Sequence, residues 1–343
     1  MISILVTVIG LGLLIAAHEA GHLLLARLMG MRVETYSLGF GPRLAGFKHG
    51  ETDYRISALP LGGYCKIAGF TPDEAAAQDP NDTGSYMNKP AWRRALVIAA
   101  GPGVNWLVAF LLITTLYVTY GFTDLSTKRV AVIPGGPAAA AGMQTGDEMA
   151  AVDGVAIGSF TDLQRELHKD GVERRIDVLR AGAPLTLLVR PDHGRISVSQ
   201  DRVLLRVPLS QAIPRAASDV WSSSKQLLAG LADAITFRGG AALSGPIGIV
   251  TQASAEVKRG LADFAAVLAN ISIGLAIFNF LPVPALDGGR LVFLGIELVT
   301  GRKVNQKFET AMHMIGLLLL LALVLGVTVF GDLHLGRKLF HRG

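Results

Sequence analysis

Charge is scarce in this sequence. Only 17% of its 343 residues are Asp, Glu, Lys or Arg, where a soluble domain carries about 25%. The charge is gathered into a few stretches, and long segments have almost none, which is the pattern of a chain that crosses a bilayer. The basic residues form no stripe and the net charge is a modest +5, so there is no nucleic-acid footprint. Cysteine is nearly absent: Cys65 is alone. That excludes an internal disulfide and a zinc site built on cysteines, so a metal here has to be held by histidines and carboxylates. As for Cys65 itself, it reads as a small, partly buried residue.

What is abundant is apolar sequence, at 50% of the chain. Ile2–Leu28 is broken only by His18, Glu19, His22 and Arg27. Ala95–Gly121 and Phe264–Leu286 carry no charge, and Ala311–Gly331 has only His313. Each is about 20 residues or longer, enough for a helix to cross about 30 Å of hydrocarbon. The first segment is read as a span and not as a signal peptide. It has no Lys or Arg before His18, and it runs past the usual length of a signal's apolar core. The predicted fold is therefore a polytopic α-helical membrane protein with four transmembrane helices and one αβ insert. The organisation is a first span at 1–29, a loop at 30–94, a second span at 95–121, the insert at 122–208 and a linker at 209–260. A third span at 261–287, a loop at 288–310, a fourth span at 311–331 and a tail at 332–343 follow.

The loops after spans one and three carry Arg32, Arg43, Lys48, Arg55, Lys66, Lys89, Arg93 and Arg94, then Arg290, Arg302, Lys303 and Lys307. The positive-inside rule makes them cytoplasmic, against the weaker contrary vote of Arg337, Lys338 and Arg342 in the tail. The insert is then extracytoplasmic. Its strands are expected at Arg129–Ile133, Met149–Val152, Arg175–Leu179 and Leu185–Arg190, the last two as a hairpin. A helix capped by Ser159 or Thr161 is expected over 159–169. The run Pro137-Ala-Ala-Ala-Ala-Gly-Met-Gln-Thr-Gly-Asp-Glu148, followed by Val152-Asp-Gly154, resembles a PDZ domain of the type found with bacterial proteases. PDZ folds add an extended peptide to a sheet edge; a spacer or gate is the alternative. Ala216–Phe237 has a rough apolar face at Trp221, Leu227, Leu228, Leu231 and Ile235, suited either to the membrane surface or to packing on the insert.

His18-Glu-Ala-Gly-His22 puts two imidazoles on one helix face, one turn apart. They can converge on one Zn²⁺, with Glu19 placed as general base for a metal-bound water. Ionisable groups inside a span are costly and functional by default, and a divalent cation gives these a reason to be there. A catalytic zinc takes three protein ligands, and no carboxylate follows closely after His22. The strongest candidate is remote. Asn279-Phe-Leu-Pro-Val-Pro-Ala-Leu-Asp287-Gly-Gly289 closes the third span, and Pro282 and Pro284 forbid regular helix there. Broken helix at membrane depth is tolerated where it is buried in protein or lines a cavity. Asp287 can lie at the depth of His18 and His22.

The His-Glu-x-x-His of the first span, the later Asn-x-x-Pro-x-Pro-x-Leu-Asp-Gly and the PDZ-like insert together resemble the site-2 protease family, in particular the bacterial regulator-of-sigma-E type. Ala99-Ala-Gly-Pro-Gly-Val-Asn105, Leu59-Pro-Leu-Gly-Gly-Tyr64 and Ser244-Gly-Pro-Ile-Gly248 extend the resemblance over the whole chain. It implies zinc held by His18, His22 and Asp287, and Glu19 as catalytic base. Asn279 would contact the substrate backbone, with stabilisation of the broken helix as its alternative role. Asn105 is placed with the substrate-binding residues but is also suited to a structural role. Gly62 and Gly63 belong to a membrane-associated β-hairpin near the site that would unfold and align the substrate. The implied function is intramembrane proteolysis in the bacterial cytoplasmic membrane, on single-pass proteins of the anti-sigma-factor type and on signal-peptide remnants. Enterobacterial relatives carry two tandem PDZ domains, and this chain has room for one. A catalytically silent PDZ scaffold is the non-enzymatic alternative. A metal transporter is a third reading, but the chain lacks repeated halves.

Overall fold

In the computed structural model, residues 2–71, 74, 79–123, 128–158, 162–163, 166, 173–192, 195–200, 204–235 and 245–332 are described. The expected helix at 159–169, with its cap at Ser159 or Thr161, falls almost wholly outside them. Thr236, Phe237, Ser244 and the basic residues of the tail also lie outside them.

Among the described residues, four helices are long and apolar enough to cross a membrane: α1 (Ile2–Leu28), α2 (Ala91–Thr119), a helix at Leu261–Phe280 and a segment at Lys307–Val329. Between α1 and α2 run two long strands, β1 (Val33–His49) and β2 (Thr52–Ile67). Both bend, and the register shifts repeatedly along them. Thr35–Leu38 consequently faces Asp53–Ile56 on one side and Gly63–Lys66 on the other, while Arg43–His49 pairs with Thr52–Ser57. Two strands thus make a sheet four segments wide, in which Gly63–Ile67 is an edge. The first half of β1 alternates buried and half-buried residues and the second half is exposed. Tyr36 Oη donates to the Ala16 carbonyl (2.7 Å) and Arg27 donates to Thr52 Oγ1 (2.8 Å), so the sheet is tied to α1.

The chain divides into two compact units, residues 1–115 with 210–343, and residues 116–209. In the second unit β3 (Phe122–Thr123) and β4 (Val130–Val132) precede a short helix, α3 (Pro137–Ala140). β5 (Glu148–Val152), β6 (Val155–Ala156), β7 (Arg174–Arg180), β8 (Ala183–Val189), β9 (Val198–Gln200) and β10 (Leu204–Leu205) follow. The largest sheet has the order β6-β5-β7-β8, with β7 and β8 in a hairpin closed at Ala181-Gly182. Inward-facing Val130, Met149, Ile176, Val178 and Val189 form its core; each such burial is worth about 1.5–3 kcal/mol. Beneath the sheet Asp147 is almost fully buried and takes two 2.8 Å bonds from Arg180 and one from the Gln144 N–H.

In the first unit the remaining helices are α4 (Leu209–Ile235), α5 (Pro246–Arg259), α6 (Leu261–Phe280), α7 (Asp287–Thr300) and α8 (Gln306–Gly326). Two places in this unit, one in α7 and one in α2, differ from expectation. Residues 288–310, read as a loop, begin with α7, whose 3.6-residue apolar pattern (Leu291, Leu294) is too short to read as a span. Arg94, counted as a loop cation, sits in the first turn of α2 and is 4% exposed. There it is ion-paired with Glu297 of α7, donates to the Lys89 carbonyl (3.0 Å) and lies over the Tyr86 ring. A basic residue near a span end is therefore not always a free cation.

Candidate metal centre

α1 places His18 and His22 on one face, with ring centroids 4.9 Å apart and planes nearly perpendicular. α2 passes close behind them at Gly101. A Cβ there would collide with Nε2 of His22, and would lie 2.6 Å from His22 Cε1 and 2.8 Å from His18 Cε1. No residue but glycine leaves room for both rings.

Each ring is held from behind. His22 Nδ1 is 2.8 Å from the Val97 carbonyl, which can only accept, so the proton is on Nδ1 and the Nε2 lone pair points forward. Behind His18, Asn105 is fully buried, with its amide nitrogen 3.2 Å from His18 Nδ1 and its Oδ1 without a partner among the described residues. Turning that amide over exchanges the two atoms and lets Oδ1 accept from His18 Nδ1–H. It satisfies the buried oxygen and frees the Nε2 lone pair of His18 as well. Ser272 of α6 donates to the Asn105 carbonyl (2.8 Å).

The third group arrives from across the bundle. α6 ends at Phe280, because Pro282 and Pro284 have no N–H to continue it. The chain turns over 281–286 and α7 begins at Asp287. Asp287 Oδ2 lies 3.1 Å from His18 Nε2 and 3.4 Å from His22 Nε2, and the two nitrogens are 3.2 Å apart. Among the described residues these three form a cluster able to hold a metal ion. The donor set fits zinc: bonds of about 2.0–2.1 Å in a tetrahedron separate the ligand atoms by roughly 3.3 Å. Two lone pairs and a carboxylate oxygen with no other hydrogen-bond donor are mutually repulsive unless a cation lies between them.

A cavity of about 270 Å³ opens in front of this triangle, lined by Glu19, Tyr64, Cys65, Ile98, Asn279 and Arg290 among others. Glu19 lies beside the Cys65 backbone, and both line the cavity, so the edge segment of β2 runs past it. Gly63 belongs to the same edge: a Cβ there would sit 3.6 Å from Glu19 Cγ and 2.7 Å from the Ser37 carbonyl. Gly62, with φ +128°, packs against the Phe40 ring instead. Asn279 faces the cavity from α6 while its Nδ2 donates to the Leu275 carbonyl (2.9 Å). Tyr64, Ile98 and Arg290 escaped sequence reasoning. Their only signal was proximity to motifs, since nothing in their own spacing marks them. Cys65 was noted but not placed here; burial and the neighbouring Glu19 push its thiol up to about 12, so it is not a thiolate at neutral pH.

The family model described as Peptidase family M50 matches residues 6–323. A protein of Clostridium perfringens provisionally named a zinc metalloprotease is 31% identical over 324 residues, covering 92% of this chain and 94% of that protein. One from Brucella suis with the same kind of name is 30% identical over 357 residues, covering 94% and 93%. Another, from Synechocystis, is 32% identical over 356 residues, covering 95% and 93%.

Proposed function

The chain belongs to peptidase family M50 and is a zinc metalloprotease, and on that premise we propose that it cleaves membrane-spanning segments of other proteins at a site built from α1, α7 and the β2 edge. One observation carries the reading: His18 Nε2, His22 Nε2 and Asp287 Oδ2 meet at 3.1–3.4 Å beside Glu19, with both histidines and Glu19 in a helix long and apolar enough to cross a membrane. His18, His22 and Asp287 hold the zinc, and Val97 and Asn105 orient the two imidazoles. Bound there, zinc acts as a Lewis acid and brings the pKa of a water to about 7. Glu19 takes the proton from the attacking water and delivers it to the leaving amine nitrogen. The Cys65 backbone flanks the Glu19 carboxylate.

A helical substrate hides its carbonyls in its own hydrogen bonds, so it has to be extended before cleavage. The Gly63–Ile67 edge beside Glu19 offers backbone groups to an extended chain, and Asn279 offers an amide on the opposite wall. Phe47 and Leu44, both more than 60% exposed on β1, suit a sheet that dips into the bilayer. Substrates of the anti-sigma-factor type and signal-peptide remnants follow from the family resemblance, as does location in the bacterial cytoplasmic membrane. The relatives above are all bacterial. The unit at 116–209 acts as an extracytoplasmic PDZ-like module that binds substrate or gates its approach. This is supported by the glycine-punctuated run 135–154 and by the basic loops on the other side of the spans.

The test is Glu19→Gln, purified and presented with a single-pass substrate in lipid vesicles. Zinc content is expected to be unchanged and the cleavage rate to fall by about 10²–10⁴-fold. Undiminished cleavage would end the reading.

A further inference from the structure

The fourth spanning helix makes little use of its surface. Across residues 311–326 Gly316 alone is buried, and Leu317, Leu318, Leu319 and Leu321 are all exposed. Yet this helix carries the one ionisable residue of its apolar run, His313, and points it at the loop that precedes Asp287. The Ala285 N–H donates to His313 Nδ1 at 2.9 Å. A backbone N–H can only donate, so Nδ1 is bare and the ring is neutral with its proton on Nε2. Ala285 needs such a partner. Its φ of +79° is a left-handed conformation that costs a residue with a Cβ about 1–2 kcal/mol. It has prolines on the N-terminal side and Asp287 two residues later. Gly316, three residues on from His313 and so on the same face, lets the helix touch the loop: a Cβ there would collide with the Pro284 carbonyl. Phe293 of α7 sets the His313 ring from its other side, centroid to centroid 5.7 Å, and Glu309 lies 3.8 Å from its Nε2.

We propose that His313 is a positioning residue for the zinc site: through the Ala285 N–H it locks the strained turn that aims Asp287 at His18 and His22. The fourth helix is then a brace for the third ligand, although it contributes no ligand. The inference rests on Asp287 being a ligand, and the experiment separates the two ideas. Zinc retention by the purified full-length protein is titrated against a competing chelator, with cleavage measured in parallel. His313→Leu removes the acceptor and is expected to weaken zinc retention by about 10–100-fold, the usual effect of losing a group that orients a metal ligand. His313→Asn places an amide oxygen where Nδ1 was and is expected to lie within about threefold of the unsubstituted protein. In His313→Gln the oxygen is one methylene too far, and that variant should resemble His313→Leu. If His313→Leu fails to fold, the contrast between His313→Asn and His313→Gln still decides, and equal zinc retention by these two overturns the proposal. Asp287→Asn serves as reference. If it keeps zinc normally, the ligand assignment falls and this inference with it. If it loses zinc while His313→Leu holds it as tightly as before, only the role of His313 is refuted.

Discussion

The two units of this protein are built inside out with respect to each other. Residues 116–209 bury Val130, Met149, Ile176 and Val189 in an apolar core, with Asp147 the one buried charged residue among the described residues of the unit. The helical unit buries His18, His22, Arg94, Asn105 and Ser272 and exposes Leu13, Leu24, Leu111 and the leucines of α8. Both arrangements follow one rule, which is to show the solvent what it dissolves. Water around the αβ unit makes apolar burial the driving force. Hydrocarbon around the helical unit offers no gain for burying leucine, and makes an unpartnered polar group the expensive one. This explains why the buried His18, His22, Asn105 and Ser272 of the helical unit gather around one another.

The comparison can be broken most sharply at Arg94. Its pairing with Glu297 ties the start of α2 to α7. Arg94→Leu would leave Glu297 buried without its partner, and should cost about 3–5 kcal/mol in the helical unit. Thermal unfolding in detergent, followed by zinc release, would measure it; an unchanged midpoint would show that the pair is ornamental.

A matched pair of substitutions sharpens it next. Leu318 on α8 and Leu188 on β8 are almost equally exposed, at 60% and 59%, but face different solvents. Leu318→Asp should disfavour insertion by about 2.5–3.5 kcal/mol on the scale for a charge at a helix centre. Leu188→Asp should change stability by no more than about 0.5 kcal/mol. The membrane-inserted fraction and the thermal midpoint report on each. Equal behaviour would mean that the two surfaces share a solvent.

The smallest effect is confined to the αβ unit. Arg180 bonds, and then the Gln144 N–H, hold the Asp147 carboxyl below the usual carboxylate range. A depressed carboxylate stabilises the fold above its unfolded pKa of about 3.9, and that stabilisation is lost as pH falls through the lower folded value. Protection of the Met149 and Ile176 amides against exchange, relative to their intrinsic rates, should therefore fall in the full-length protein as pH drops below about 4. Arg180→Gln should flatten this dependence, while leaving exchange in α1 unaltered.

Much of the site was legible because its signals are local. His18 and His22 share a helix face by their spacing alone, and Glu19 is fixed beside them. Pro282 and Pro284 announce a helix break wherever they stand. The strands of the αβ unit show in their alternation and turn glycines. What was not legible depends on distance. Nothing around Asn105 says that it lies behind His18, and nothing around Gly101 says that two imidazoles fill the space of its missing side chain. Arg94 reads as a loop cation until Glu297, some 200 residues later, is seen beside it.

By itself, then, the sequence set the apolar segments, the spacing that puts His18 and His22 on one helix face with Glu19 beside them, and the place where the third helix must end. These are set by chain-local physics: the length of hydrocarbon a helix crosses, 3.6 residues per turn, and a proline without an N–H. Only the tertiary structure decided that Asp287 closes the half-site at about 3 Å, that the β2 edge runs past Glu19, and that His313 holds the turn between. Those facts arise from packing among segments far apart in the chain, where the angle of one helix against another settles which atoms meet.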